Sequence, residues 1–445
     1  MKTALFCIML VVLVRVVYFY GFDDVAFPLK NKTSLYGKIV SLPACSRSHC
    51  KFVFETLVKT SRHVRLLVSW YGAHPRLSAG STWRLPLRIK SRQSVHSHYR
   101  IWLMAHSLDG IAYVDHFRRS IMIDSSPSYS ILYLREFVQN FITSAVHDHS
   151  LSSILAALTV GSRAFMTPPE WRVFQRTGTA HLIAISGLHI AFVAMAFYRL
   201  ARYCVSFFPS LIDFSPAPVW GGCFALLSSW LYSSLAGWSY STERAFIMIA
   251  SCYVPVFFQI NVFFWYRLLL AFLLISISSP EALLQAGFWL SFAAVSIIGY
   301  VSMARLSLLS TWRTNIKLHL YISLGLLPVT LFFFHQSSVI EVFTNLIAVP
   351  WVSFLVIPIS LLACVVLLVS SKIAAILFHC AALMLKPLWY LLRDVSTWQH
   401  AVVQFSLSSS ALLLCELCVL VFLLPVFFEL RCLFFALYLL ELAHR

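Results

Sequence analysis

From residue 180 onward the chain is a series of apolar runs of about 18 residues or more, divided by short polar turns. The runs lie at approximately 180–200, 216–236, 244–260, 262–279, 281–302, 317–335, 351–370, 373–391 and 409–428. A helix of about 20 residues is about 30 Å long, the thickness of a bilayer's hydrocarbon core. Composition removes the alternatives: 11% of the 445 residues are charged and 60% hydrophobic, against about 25% charged in ordinary soluble domains. So few charges cannot coat a soluble protein of this size, and so many apolar residues exclude a disordered chain. The expected fold class is a polytopic α-helical membrane protein with about 9–11 membrane segments. Residues 430–443 are short for a span and suit the interface.

Residues 3–20 (TALFCIMLVVLVRVVYFY) follow Lys2 and are also apolar. A cleaved signal peptide would carry an A-x-A-like site, which this segment lacks, and Tyr18, Phe19 and Tyr20 resemble an interfacial aromatic belt. Residues 1–20 are therefore expected to be an uncleaved anchor with its N-terminus inside, and Arg15 snorkels near its outer end. Residues 21–130 hold about half of the Lys and Arg and no run long enough to span. Strand-like stretches at 33–40, 51–58, 64–71, 82–90 and 110–114, with turns at His74-Pro75 and Ala79-Gly80-Ser81, predict an all-β, OB-like barrel. Residues 131–178 mix Tyr133, Leu134, Phe137, Phe141 and Ile142 with Arg135, Glu136 and Asn140, and read as amphipathic interfacial helices. Residues 179–445 then form the transmembrane domain.

Lys and Arg number 34 against 17 Asp and Glu, a formal net charge of +17. Cations in short loops mark the cytoplasmic side. Arg199 and Arg202, then Arg305, Arg313 and Lys317, then Lys372, fall on one side by span counting. The alternate loops are poorer in cations, so the start of the 180–200 run faces outward. An anchor with its N-terminus inside puts the β domain outside as well. The localisation expected is the inner (cytoplasmic) membrane, multi-pass, with the β domain extracytoplasmic.

Alternation along 82–90 separates Leu85, Leu87 and Ile89 from Arg84, Arg88, Lys90 and Arg92. The second set is a basic stripe suited to DNA, and Phe52, Phe54, Trp70 and Trp83 are candidate stacking surfaces beside it. An ordinary solvated face over an aromatic core is the competing account. Cys45 and Cys50 flank four residues between two strands, and in an oxidising compartment a hairpin disulfide is plausible. A zinc site needs about four ligands, and His49 alone does not complete one, so no metal is expected. The other nine cysteines lie in apolar segments, Cys415 and Cys418 among them, and read as inert thiols.

Several polar clusters interrupt the apolar runs. Arg176, Thr179, His181, Ser186, Gly187 and His189 occupy 176–190. Ser241 and Arg244 follow in Gly237-Trp238-Ser239-Tyr240-Ser241-Thr242-Glu243-Arg244-Ala245. Gly287 and Ser291 lie in 286–292, and Asn345 and Pro350 in a break at 345–358. Intramembrane polar groups are costly and face a bundle interior or a wet cavity. Helix breaks are tolerated only against protein or such a cavity. Several of them in one bundle favour a conduit over an inert anchor, although hydrogen-bonded helix packing explains the histidines equally well.

These motifs resemble those of the ComEC family, the inner-membrane DNA channels of natural transformation. HLIAISGLHI (181–190) carries the resemblance, with LTVGSR (158–163), RTGTA, the pattern ending in Arg244-Ala245, GFWLSFAA (287–294) and the Asn345, Pro350, Pro358 segment. It covers residues 150–370 well and the β region loosely, and Trp289 replaces a frequent Gln. Many members carry a C-terminal metallo-β-lactamase-like domain. This chain ends at Arg445 with no H-x-H-x-D-H motif, and His147-Asp148-His149 reads as an interfacial loop, so no metallo-nuclease is expected.

The resemblance implies a channel subunit for single-stranded DNA, without catalytic residues or cofactors. Its expected partners are single-stranded DNA, membrane lipids and other competence proteins, including a DNA receptor and a cytoplasmic ATP-driven motor. A separate nuclease and a homo-oligomer complete the set. No Walker A pattern is present, so energy must come from a partner. The rivals are a small-molecule or lipid transporter and an intramembrane hydrolase using Ser186 with His181 or His189.

Overall fold

The structure, a computed structural model, describes residues 32–404 apart from 47, 57–62, 76, 116–119, 125–129, 305–311, 335, 339 and 399–400. The expected anchor at 3–20, the run at 409–428, segment 430–443 and the Cys415–Cys418 pair lie outside the described residues. The chain forms two compact units. One comprises Met1–Thr167, Ala184–Gln285 and Val356–Leu383; the other comprises Pro168–Ile183, Ala286–Leu355 and Met384–Arg445.

The first unit begins with strands β1 (Lys32–Ile39), β2 (Ala44–Cys45), β3 (His49–Thr56), β4 (Val64–Tyr71), β5 (Thr82–Ser91), β6 (Gly110–Val114) and β7 (Ile121–Asp124). The five longer strands run β1-β3-β4-β6-β5, and β5 pairs back to β1, closing a barrel. All these pairs are antiparallel except β4 with β6. Strict alternation drives the closure: Cys50, Phe52 and Phe54 of β3, Leu66, Val68 and Trp70 of β4 and Trp83, Leu85, Leu87 and Ile89 of β5 share one buried core. This five-stranded barrel is consistent with the OB-like domain expected.

Helix α1 (Ser97–Ala105) lies between β5 and β6. After the barrel come α2 (Ile131–Ala145), α3 (His149–Val160), α4 (Pro168–Arg176), α5 (Ala180–Ile183), α6 (Gly187–Val205), α7 (Pro209–Phe214), α8 (Ala217–Leu235), α9 (Tyr240–Phe257) and α10 (Phe264–Ser278). Then follow α11 (Ala286–Ala304), α12 (Trp312–Phe334), α13 (Glu341–Trp351), α14 (Ile357–Leu367) and α15 (Ser371–Ser396). Among the described residues, three helical stretches are long and apolar enough to cross a membrane: Gly187–Val205, Glu341–Leu367 and Ser371–Ser396.

Three expectations change. The 180–200 run is not one helix: it breaks at 184–186, and the long helix starts at Gly187 because Ser186 caps it. The break at 345–358 is absorbed within a helical run, where Pro350 lies inside α13 and a π-helical turn, Val352–Val356, leads into α14. Proline removes a donor, and a widened turn accommodates the loss. Finally, α3 is not amphipathic, since every residue from Leu151 to Val160 is buried. Its Ser152, Ser153 and Thr159 hydroxyls bond to carbonyls of their own helix, which lets polar residues sit in a packed interior.

Candidate functional site

The polar clusters are divided between the two units. In the first, Ser186 Oγ accepts from the His189 N–H at 3.4 Å, while His189 Nδ1 accepts from the Ser186 N–H at 3.3 Å. This capping box satisfies two helix-end donors, with histidine where Glu or Gln is usual. Ser186 and His189 therefore meet through backbone N–H groups, and Nδ1 does not face the hydroxyl as a general base would. Ser241 donates to the Ile185 carbonyl at 3.1 Å, and a Cβ on Gly187 would lie 3.4 Å from that of Ala245. The starts of α6 and α9 are thus tied together by a hydroxyl and a close approach.

Arg244, one helical turn into α9, is 5% exposed. Its sequence neighbour Glu243 accepts a hydrogen bond from Ser279 at 2.9 Å. Arg244 Nε and Nη1 have no hydrogen-bond partner among the described residues. A buried guanidinium with idle donors is costly, and an oxyanion is the group that best completes it.

Sequence reasoning missed Arg135 in the same unit. It was read as a polar interruption of an amphipathic helix, yet its guanidinium donates to the carbonyls of Leu235 at 2.9 Å, Ala236 at 3.2 Å and Val160 at 2.9 Å. One side chain thereby caps the C-terminal ends of α8 and α3. Gly237 follows at φ +81°, and a Cβ there would strike the guanidinium. The signal available in the sequence was the pair of helix-ending glycines, Gly161 and Gly237, which need a neighbour for their exposed carbonyls. Beside it, Glu136 accepts from the Ala79 N–H at 2.8 Å and fastens α2 to the barrel's loop.

In the second unit, Arg176 caps a helix in the same manner. Its Nε donates to Ser396 O at 2.7 Å and its Nη2 to Trp398 O at 2.8 Å, at the end of α15. The Thr177 and Thr179 hydroxyls lie 2.7 Å apart, and Thr344 donates to the Thr177 carbonyl at 2.7 Å. Gly178 sits at φ +70°, with the Glu341 side chain where its Cβ would be. Asn345 is buried and donates to Glu341 at 3.5 Å, and its Oδ1 has no partner among the described residues. The structure therefore joins RTGT to the start of α13, two motifs more than 160 residues apart. His181 is exposed and holds the Gly178 carbonyl at 3.1 Å through Nδ1. Ser291 donates to the Gly287 carbonyl, four residues back on its own helix, at 2.7 Å. Pro350 is exposed.

On the barrel, Arg84, Arg88 and Lys90 project outward from β5, while Arg92 lies beyond it in a 3₁₀ turn. Arg84 lies over the Tyr36 ring at 5.0 Å, and Arg88 pairs with Asp115 at 3.2 Å. The stacking surfaces expected at Phe52, Phe54, Trp70 and Trp83 are instead core, 2%, 0%, 5% and 4% exposed. Phe52 and Phe54 share the inward phase of β3 with Cys50, and Trp70 and Trp83 share theirs with Leu or Val, so closure of the barrel buries all four. Cys45 and Cys50 are cross-strand partners joined by a disulfide. His74 stands close to both sulfurs, but its ring nitrogens face the Pro75 and Ser46 carbonyls. Of the His147-Asp148-His149 run, Asp148 is the N-cap of α3, accepting from the Leu151 N–H at 3.1 Å.

Comparison with known proteins places this framework. The chain is 26% identical over 344 residues to Competence protein ComA of Neisseria gonorrhoeae, covering 74% of this chain and 48% of that protein. It is 35% identical over 236 residues to Recombination protein 2 of Haemophilus influenzae, covering 48% of this chain and 28% of that protein. ComE operon protein 3 of Bacillus subtilis is 30% identical over 252 residues, covering 56% of this chain and 31% of that protein. The chain thus spans about half or less of the length of these relatives. No solved structure matches it. The Competence protein family matches residues 158–430, which include α6, α9, Arg244 and the joined RTGT and Asn345 motifs, and the chain belongs to that family, the ComEC-type family its motifs resemble.

Proposed function

We propose that the chain is a channel subunit that carries single-stranded DNA across the cytoplasmic membrane during natural transformation. The observation that carries this reading is Arg244: a buried arginine at the start of a membrane helix whose Nε and Nη1 lack a partner among the described residues. A phosphodiester passing that point would complete it. Arg135, by contrast, spends its donors on the carbonyls of Leu235, Ala236 and Val160, and a path with few strong phosphate contacts favours passage over retention. On this reading the chain has nine to eleven spans, and the barrel lies on the outer side, where a disulfide persists. Energy would come from a cytoplasmic ATP-driven motor, DNA from a receptor, and strand degradation from a separate nuclease.

The test replaces Arg244 in transformable cells. Arg244→Leu removes charge and donors from an apolar helix and should insert normally. Its uptake of labelled DNA is expected to fall about tenfold or more, with Arg244→Lys intermediate because it keeps charge but loses the planar fork. Normal uptake by a well-expressed Leu variant would take Arg244 out of the path. Loss of the protein itself would make Arg244 a structural residue.

A further inference from the structure

The rings that stand outside the barrel were not those the sequence suggested. His49 and Tyr71 are cross-strand partners on β3 and β4, stacked at 4.6 Å with planes 25° apart. Tyr71, 52% exposed, stacks in turn on Tyr113 of β6 at 6.3 Å and 20°. A second stack lies on α1, where Tyr99 and Trp102 are 5.4 Å apart at 12° and Trp102 and His106 are 4.2 Å apart at 28°. Trp102 is 40% exposed. The chain leaves α1 at Ala105 and enters β6 at Gly110, so the strand that carries Tyr113 follows directly on the helix that carries Tyr99, Trp102 and His106. The second stack ends edge-on against Tyr240, the first residue of α9, at 6.4 Å.

The junction is held rigidly. Ser107, a non-glycine at φ +51°, lies 2.8 Å from the Tyr240 hydroxyl and donates to Glu281 at 2.7 Å. Gln285 donates to the Ala105 carbonyl at the end of α1. Around the barrel stack, register aligns Lys51, Ser69, Tyr113 and Arg88 in one row across four strands, with Lys90 in the next. Near Tyr240 the charge is mixed, since Glu281, Glu243 and the Arg65 guanidinium all act on its hydroxyl.

We propose that the two stacks form one base-stacking track that leads a single-stranded polynucleotide from the barrel face to Tyr240 at the start of α9. The track rests on the channel reading and adds to it the route by which a strand reaches the membrane helices. Rings suit this task because every base has a π-face, so stacking tolerates any sequence. Exposed rings at Tyr71, Trp102 and His106, backed by the half-buried His49, Tyr99 and Tyr113, offer bases a stacking surface without the deep pocket that would stop movement. The competing account of exposed Tyr and Trp is an interfacial belt that contacts lipid headgroups.

The experiment uses the full chain in lipid nanodiscs. Binding is measured for a fluorescent oligothymidylate and for an abasic oligomer of equal length, which keeps phosphates but has no bases. Tyr71→Leu and Trp102→Leu keep apolar bulk, and Tyr36→Leu is the control, an exposed barrel ring outside both stacks. The first two variants are each expected to weaken oligothymidylate binding about fivefold or more while leaving the abasic oligomer unchanged. Tyr36→Leu should change neither. Unchanged oligothymidylate binding overturns the track; so does equal loss for both oligomers when Tyr71→Phe and Trp102→Phe, which keep a ring, fail to restore the preference for oligothymidylate over the abasic oligomer. Deletion of the chain in cells separates the two proposals. If deletion abolishes DNA uptake while the Leu variants bind normally, the track is wrong and the channel reading stands. If uptake survives deletion, the channel reading fails.

Discussion

Arginine at three positions solves two different problems. Arg135 and Arg176 spend their donors on helix-end carbonyls, and Arg244 retains Nε and Nη1 unspent among the described residues. Nothing in their local sequence distinguishes them, because each follows or precedes an acidic or polar residue in a mixed segment. Arg135 is buried enough that its pKa is pulled down to about 10, still charged at neutral pH. Arg135→Leu leaves three carbonyls without their donor, and the expected loss of stability is about 3 kcal/mol, read as a lower unfolding midpoint in detergent. Arg135→Lys should fall between, since one ammonium cannot reach both helix ends. Its neighbour Glu136 is pushed above the usual carboxylate range by burial, an effect that the Ala79 N–H partly offsets. A carboxyl whose pKa is higher folded than unfolded takes up a proton on folding, so its cost is absent in acid and grows as pH rises through the folded value. Glu136→Gln keeps an acceptor for Ala79 and removes that cost. Melting curves should coincide with those of the parent below the ordinary carboxylate range and lie above them at neutral pH; the reverse order would show that the charge is stabilising.

At the scale of elements, the five longer strands of the barrel were legible to within one or two residues, whereas β2 and β7 were not anticipated. The stretch 64–71 matches β4 and 110–114 matches β6, because period-2 alternation with β-branched and aromatic residues leaves little freedom of phase. The same alternation showed that Arg84, Arg88 and Lys90 face outward. It could not show which aromatics stay outside, since a ring serves a core as well as a surface. Helix starts were less legible: Ser186 is a good N-cap by type, but its box uses a histidine, so HLIAISGLHI read as one span. The Cys45–Cys50 hairpin carries a prediction for this scale. Closing so short a loop is worth about 2 kcal/mol, so reductant should lower the barrel's unfolding midpoint modestly. In intact cells, thiol reagents that do not cross the membrane should label Cys45 only after reduction. Labelling only after lysis, with no effect of reductant, would put the barrel on the other side.

For the whole molecule, the expected outcome of a nuclease assay is negative: end-labelled DNA with Mn²⁺, Mg²⁺ or Zn²⁺ should survive incubation with the purified chain. Cleavage lost on mutating His147 or His149 would reveal a metal site there. The sequence by itself determined that most of the chain is apolar helix, because apolar runs of spanning length dominate it and the charged fraction is low. It also determined the barrel, whose phase is local, and the family, whose motifs are contiguous. The tertiary structure decided what those motifs do. RTGT meets Thr344 and Glu341, α3 is enclosed on all sides, and Arg135 closes the ends of two other helices, α3 and the distant α8. The first and the last of these are polar groups satisfied across the fold rather than within their own helix. Sequence records that such a group must find a partner, but the partner is set by which helices pack, and in an apolar bundle most faces are equally able to pack.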